Sequence, residues 1–213
     1  MKVNEGFLCS LGIVIKQYNR KQREIVMETK ELKEIAELSF GKNSSRMTKE
    51  EQENIYNVDS LRQDLNYLGE IKPSKQVGTP TTFNEGDLAL RLINPQAAVV
   101  SSATAGSILS LNFAKIVPNR TKVDEWYLCY YLNEAEDIQK QIELSAQGQV
   151  STIKRLGAKF LRELKILLPD LEKQKELGQI YRNWLIYRHQ TEEALVQQEQ
   201  LVFNAIAKEC TND

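Results

Sequence analysis

Apolar residues recur at steps of three and four through the C-terminal part of the chain. Leu177, Ile180, Trp184, Tyr187, Thr191, Ala194, Gln198, Leu201 and Ala205 form one such line, the spacing of a helix that pairs with another helix. A neighbouring stripe of Tyr181, Leu185, Leu195, Val202 and Ile206 widens the apolar face, and Glu, Gln, Lys and Arg fill most of the opposite side. From Leu171 to about Lys208 there is no proline, and the sole glycine is Gly178. The pattern predicts a helix on the order of 38 residues, roughly 55 Å long. That exceeds the diameter of the domain before it, so part must project, and a projecting apolar stripe needs a partner helix. Thr191 and Gln198 sit within the seam, where polar residues fix register at some cost in stability.

Upstream the periodicities are shorter. Leu32, Ile35, Ala36 and Leu38 lie on one face of a short predicted helix that Gly41 ends, and residues 41–47 (GKNSSRM) follow as a polar, basic loop. Residues 55–58, 97–100 and 112–117 are β-prone runs punctuated by Pro73, Gly78, Pro80, Gly86 and Pro95. Residues 124–132 return to helical spacing, with Trp126, Tyr127, Tyr130 and Tyr131 as core-packing bulk. A second polar loop at 148–152 precedes a helix-like stretch at 158–164 and a strand at 165–168. Pro169-Asp170 closes that strand, and Asp170 can cap the long helix. No internal repeat is visible, so one copy of the arrangement is expected. The predicted fold is α+β: an N-terminal extension (1–30) of unassigned role, one compact mixed domain (31–169), and a long coiled-coil helix (170–213).

Composition narrows the function. Of 213 residues, 41% are hydrophobic and 27% charged, which suits a globular protein. The formal net charge is −1, so any nucleic-acid binding must come from a local patch. Cys9, Cys129 and Cys210 are far apart and lack C-x-x-C spacing, which points to reduced thiols. The apolar run 7–15 follows Lys2 but is short and lacks a small-residue cleavage site. No stretch reaches membrane-span length, and a cytoplasmic location is expected.

Enzyme chemistries find little footing. Asn94-Pro95-Gln96-Ala97 lacks the second proline and the aromatic of an amino-methyltransferase motif. Pro169-Asp170 with Glu172-Lys173 has a nuclease's letters without the intervening strand. There is no phosphate-binding loop, and His189, the lone histidine, has no nucleophile or second metal ligand beside it. No catalytic residue, metal or cofactor is expected.

The order of elements resembles one target-recognition domain of a type I restriction-modification specificity subunit. Residues 31–40 (ELKEIAELSF) with the polar loop are similar to that domain's opening. Residues 83–91 (FNEGDLALR) look like its "x-x-G-D-h-h-h-x-R" strand, and 110–118 (SLNFAKIVP) like the next strand. Residues 126–133 (WYLCYYLN), 148–156 (GQVSTIKRL) and 165–174 (KILLPDLEKQ) resemble the helix, the returning loop and the step into the spacer helix. Members usually carry two such units; this chain shows one, and it has Pro169-Asp170 where Pro-Pro is more frequent.

The resemblance implies a non-catalytic subunit. It would place a methyltransferase subunit, with or without a restriction subunit, on a bipartite double-stranded DNA site. A one-unit chain would pair with itself or with another half through its C-terminal helix, and two-fold symmetry would make the site palindromic. Base edges and phosphates are read mainly by Arg, Lys, Asn, Gln, Ser and Thr. The candidate contacts are therefore Lys42, Asn43, Ser44, Ser45 and Arg46 in the first loop and Gln149, Ser151, Thr152, Lys154 and Arg155 in the second, with Arg91. Gln147, Arg62, Gln63, Lys72, Lys75 and Arg120 are further possibilities. The rival reading is a coiled-coil adaptor whose α+β domain binds a protein.

Overall fold

The computed structural model describes residues 27–43, 45, 47–73, 79–146 and 155–210. Its elements run β1 (Glu28–Glu31), α1 (Leu32–Ile35), β2 (Ala36–Phe40), α2 (Lys49–Glu53), α3 (Val58–Leu65), β3 (Leu88–Arg91), β4 (Gln96–Val99), β5 (Phe113–Pro118), α4 (Glu125–Glu134), α5 (Glu136–Ala146), α6 (Ala158–Glu163), β6 (Lys165–Leu168) and α7 (Leu171–Cys210). The architecture is a mixed α+β domain followed by one long helix.

Two antiparallel sheets organise the domain. A four-stranded sheet has the order β2-β5-β3-β4, and β1 pairs with β6 in a two-stranded one. Pairing Glu28 with Leu168 joins the two ends of the domain's sequence just before α7 begins. Helix α4 packs between β4 and α7. The core runs through Leu32, Tyr56, Phe83, Leu88, Leu90, Ile116, Leu128 and Ile138, all at most 1% exposed. Tyr127 and Tyr131 are buried and Trp126 and Tyr130 half-buried against that core, as their helical spacing predicts.

Residues 32–38 do not form one helix. A capping box between Glu31 and Glu34 starts α1, but Ala36 turns extended at φ −152°, ψ 152°. Residues 36–40 are instead drawn into pairing with β5, Ala36 opposite Pro118 and Phe40 opposite Ala114. Sheet pairing overrides a helical spacing too short to sustain itself. The strand expected at 55–58 is reduced to an isolated bridge between Ile55 and Ile108. There Asn57 caps α3, its side chain accepting from the amides of Asp59 (2.8 Å) and Ser60 (3.0 Å).

Two buried carboxylates tie loops to this frame. Asp64 accepts from the Tyr56 hydroxyl (2.6 Å), the Ser101 amide (2.9 Å) and the Thr104 hydroxyl (2.7 Å). Burial pushes its pKa up while those hydrogen bonds pull it back. Asp87 pairs with Lys115 at 3.2 Å, and the Lys115 ammonium also donates to the Thr82 carbonyl at 2.7 Å. The preceding Gly86 sits at φ +86°, a conformation glycine adopts at little cost. Arg120 donates to its carbonyl at 2.7 Å, so this cation serves the fold.

Helix α7 is anchored on the domain as far as Leu185 and exposed beyond residue 190. Asp170 accepts from the Lys173 amide at 2.9 Å, the cap expected from sequence. Gln174, only 2% exposed, accepts from the Asp124 amide (3.0 Å) and donates to the carbonyls of Lys122 (3.3 Å) and Pro169 (2.8 Å). A side chain at Gly178 would run into the Asp124 carboxylate and the Tyr127 amide, so glycine here is a requirement of close approach. Tyr181 and Leu185 complete the buried face. Beyond residue 190 every described residue of the helix is exposed.

Candidate functional site

The β3–β4 hairpin turns through residues 92–95, with Asn94 in the left-handed region at φ 50°; asparagine is among the few side chains that tolerate it. The Arg91 side chain donates from Nε to the Asn94 carbonyl at 3.0 Å, closing the turn from within. Three further links hold the tip. The Leu92 amide donates to the Asn112 carbonyl (2.9 Å), the Leu156 amide donates to the Leu92 carbonyl (2.9 Å), and Ile93 bridges Arg155. The Arg155 guanidinium also donates to the Leu111 carbonyl. The hairpin tip, the turn before β5 and the segment entering α6 thus form one braced unit.

A groove of about 610 Å³ opens beside this unit. Its lining includes Asn43, Asn57, Arg91, Asn94, Asn112 and Ser110 together with Val58, Ile93 and Leu111. Among the described residues no carboxylate lines it, although the chain carries one more acidic than basic residue. On the other face of the hairpin lies a cavity of about 360 Å³, where Arg91 and Asn94 appear again beside Gln96, Asn133, Glu134 and Arg188. Arg91 and Asn94 therefore form a wall between two hollows. A third hollow at the base of α7 is mixed in charge, lined by Glu28, Lys30, Glu34, Lys122 and Asp170.

Asn133 shows why the second hollow is quieter. Its side chain accepts from the Ala97 amide (2.7 Å) and donates to the Ala97 carbonyl (2.9 Å), closing the free edge of β4. It also donates to the Tyr181 hydroxyl at 3.0 Å, whose pKa burial pushes up. Those groups are spent on packing α4 against α7.

The expected contact residues divide into three groups. Asn43 and Arg91 line the 610 Å³ groove. Lys42 bridges Ser110 at its margin and is exposed, as is Ser45, whose amide donates to the Asn43 side chain at 3.2 Å. Arg155 is half-buried and braces the hairpin. Ser44, Arg46, Gln147, Gln149, Ser151, Thr152 and Lys154 lie outside the described residues, as does Lys75. Arg62 and Lys72 pair with Asp59 and Glu70 at the surface, and Gln63 is exposed away from the groove.

Asn57, Asn94 and Asn112 were not singled out from sequence. In the sequence, Asn94-Pro95 reads as an incomplete methyltransferase motif. The turn signal that Asn94 and Pro95 give was legible, but not the pairing of β3 with β5 that brings Asn112 beside it.

In the helix seam Leu177 is half-buried, whereas Ile180 (44%), Trp184 (43%) and Tyr187 (40%) are exposed. Thr191, Ala194, Gln198, Leu201 and Ala205 are exposed as well. Docking onto the domain is done by the neighbouring stripe, Tyr181 and Leu185. His189 pairs with Glu193 at 3.3 Å. Among the described residues no His, Cys, Asp or Glu cluster is arranged to hold a metal ion, and no helix is long and apolar enough to cross a membrane.

Comparison with known proteins extends the picture. Residues 25–197 match the family model described as "Type I restriction modification DNA specificity domain". A putative type I restriction enzyme MjaX specificity subunit of Methanocaldococcus jannaschii is 26% identical over 182 residues, spanning 78% of this chain and 42% of that protein. The fold is shared with the crystal structure of a type I restriction-modification S subunit from M. genitalium: TM-score 0.55, 13% identity, 93% of this chain and 49% of that one. A chain from a structural study of complex assembly and conformational transition of the type I R-M system aligns at TM-score 0.52 and 16% identity, covering 87% of this chain and 50% of that one. The chain spans about half the length of these relatives.

Proposed function

The chain belongs to the type I restriction modification DNA specificity domain family, and from that premise we propose that it reads one half of a bipartite double-stranded DNA site. It directs a methyltransferase subunit, with or without a restriction subunit, to that site and performs no chemistry itself. The observation that carries this reading is the groove beside the β3–β4 hairpin, lined by asparagines and Arg91 and free of carboxylates among the described residues. DNA presents phosphates and base edges rich in acceptors, so an acid-free hollow with amide donors is the complementary surface. Lys42 at its margin and Arg155 in its brace add positive charge nearby. The family match favours this reading over a protein-binding adaptor.

The second part of the proposal concerns α7. Leu195, Val202, Phe203 and Ile206 are each more than half exposed on a helix of 40 residues, about 60 Å long. That apolar surface supports pairing with a second spacer helix, from another copy of this chain or from another recognition unit. The pair would hold two reading domains at a set separation. The seam from Ile180 onward and the stripe from Leu195 onward are exposed and open to it.

The test is enrichment. The full chain, assembled with its methyltransferase subunit, is incubated with a pool of randomised duplexes and bound DNA is recovered. The expected product is a bipartite consensus with a fixed gap. Recovery of a pool no different from the input would remove the proposal.

A further inference from the structure

Four asparagines surround the acid-free groove, and their side chains are not equally available. The Asn57 side-chain oxygen is occupied by two amides at the start of α3, and that of Asn43 accepts from the Ser45 amide. Asn94 and Asn112 differ: both are exposed, and the hydrogen bonds of these residues run through their main-chain carbonyls. Among the described residues, nothing engages either side-chain amide.

Their backbones are nevertheless held firmly. Arg91 and Leu92 donate to those two carbonyls, and Arg155 ties the Ile93 and Leu111 segments together. Two free amides therefore stand on a braced scaffold, which lowers the ordering cost of a contact. A two-stranded ribbon fits the DNA major groove, and the β3–β4 tip stands as a ridge with a hollow on each side.

The chemistry of the lining selects among base pairs. An asparagine amide offers one donor and one acceptor side by side, the complement of adenine N7 and N6 in the major groove. Leu111 (42% exposed) and Val58 (44% exposed) line the same groove, and an apolar side chain is what the thymine methyl group meets. Reading the cytosine amino group by Asp or Glu has no residue here, since no carboxylate lines the groove among the described residues.

Building on the DNA-reading role above, we infer that Asn94 and Asn112 are specificity-determining residues that read A·T pairs in the major groove. Leu111 provides the apolar contact to a thymine methyl.

The experiment repeats the enrichment from randomised duplexes with variants of the full chain in its methyltransferase complex. Asn94→Gly removes the side chain and keeps a backbone at ease in the left-handed region; Asn94→Asp keeps shape but loses the donor; Asn112→Ala truncates the second amide. Each variant is expected to lose preference at one A·T position by about 10-fold or more while preference at the other positions persists. An unchanged consensus in all three variants overturns the inference and leaves the DNA-reading role intact. An equal loss at every position also overturns it, because that pattern marks a scaffold residue and not a base contact. A wild-type complex that enriches no sequence removes the inference and the underlying role together.

Discussion

The two halves of α7 share one continuous backbone but meet different surroundings. From residue 171 to about 189 the helix lies in a bed: Gln174 is fully hydrogen-bonded, Gly178 touches the start of α4, and Tyr181 and Leu185 are buried. From 191 to 210 it leaves the domain with Leu201 at 69% and Phe203 at 67% exposure. Yet the apolar face continues. Val196 and Phe203 follow Leu185 by 11 and 18 residues, about three and five turns, on the same side of the helix. The first half orients the helix through packing; the second carries the same kind of surface without a bed. Burial separates a docked stretch from an exposed one where sequence pattern alone shows a continuous apolar face.

The contrast can be broken most forcefully in the docked half. Leu185→Ala empties a buried site and is expected to lower unfolding free energy by about 3 kcal/mol. Denaturant unfolding at dilute concentration measures it, and a change below about 0.5 kcal/mol, the range of surface substitutions, would mean that α7 is not anchored there. Gln174→Leu is next, at about 2 kcal/mol, because the Asp124 amide and the Lys122 and Pro169 carbonyls lose their partner; the same unfolding assay applies. Gly178→Ala should cost about 1 kcal/mol net, overpacking against Asp124 being partly offset by alanine's better helix propensity.

The projecting half should behave in the opposite way. Val202→Ser is expected to change dilute unfolding by less than about 0.5 kcal/mol. Light scattering at higher concentration should nonetheless show weakened self-association, or weakened pairing with a second recognition unit. Stability loss in the dilute monomer would mean that residue 202 is covered by its own domain.

Much of the frame was readable in advance. Residues 97–100, 112–117 and 165–168 carry strands nearly where expected, and 124–132, 158–164 and the long C-terminal stretch carry helices. Local periodicity suffices where an element's pattern is long or bounded by proline and glycine. It failed at 36–40, where β5, about eighty positions away (Ala36 opposite Pro118), decides the conformation of β2. It also passed over α3 and α5, which offer only a few helically spaced apolar residues each (Val58, Leu61 and Leu65; Ile138 and Ile142). The β1–β6 pair joins residues 28 and 168, a closure no local window can register.

The candidate site follows the same division. Asn43 and Arg91 were visible as residues of suitable chemistry. Asn94 and Asn112 became a pair through the Leu92–Asn112 hydrogen bond and the Arg155 brace, both consequences of tertiary pairing. The helix seam was legible as a spacing, but which stripe docks depended on the fit of Gly178 against Asp124.

The most direct trial of the account is a competition measurement on the wild-type chain assembled with the methyltransferase subunit it is proposed to direct. Binding to the enriched duplex and to a scrambled duplex of equal length is compared across a range of salt concentrations. The account predicts a preference on the order of 10³ or more for the enriched sequence at physiological salt. Both affinities should fall as salt rises. Equal affinity for the two duplexes at every salt concentration would contradict it.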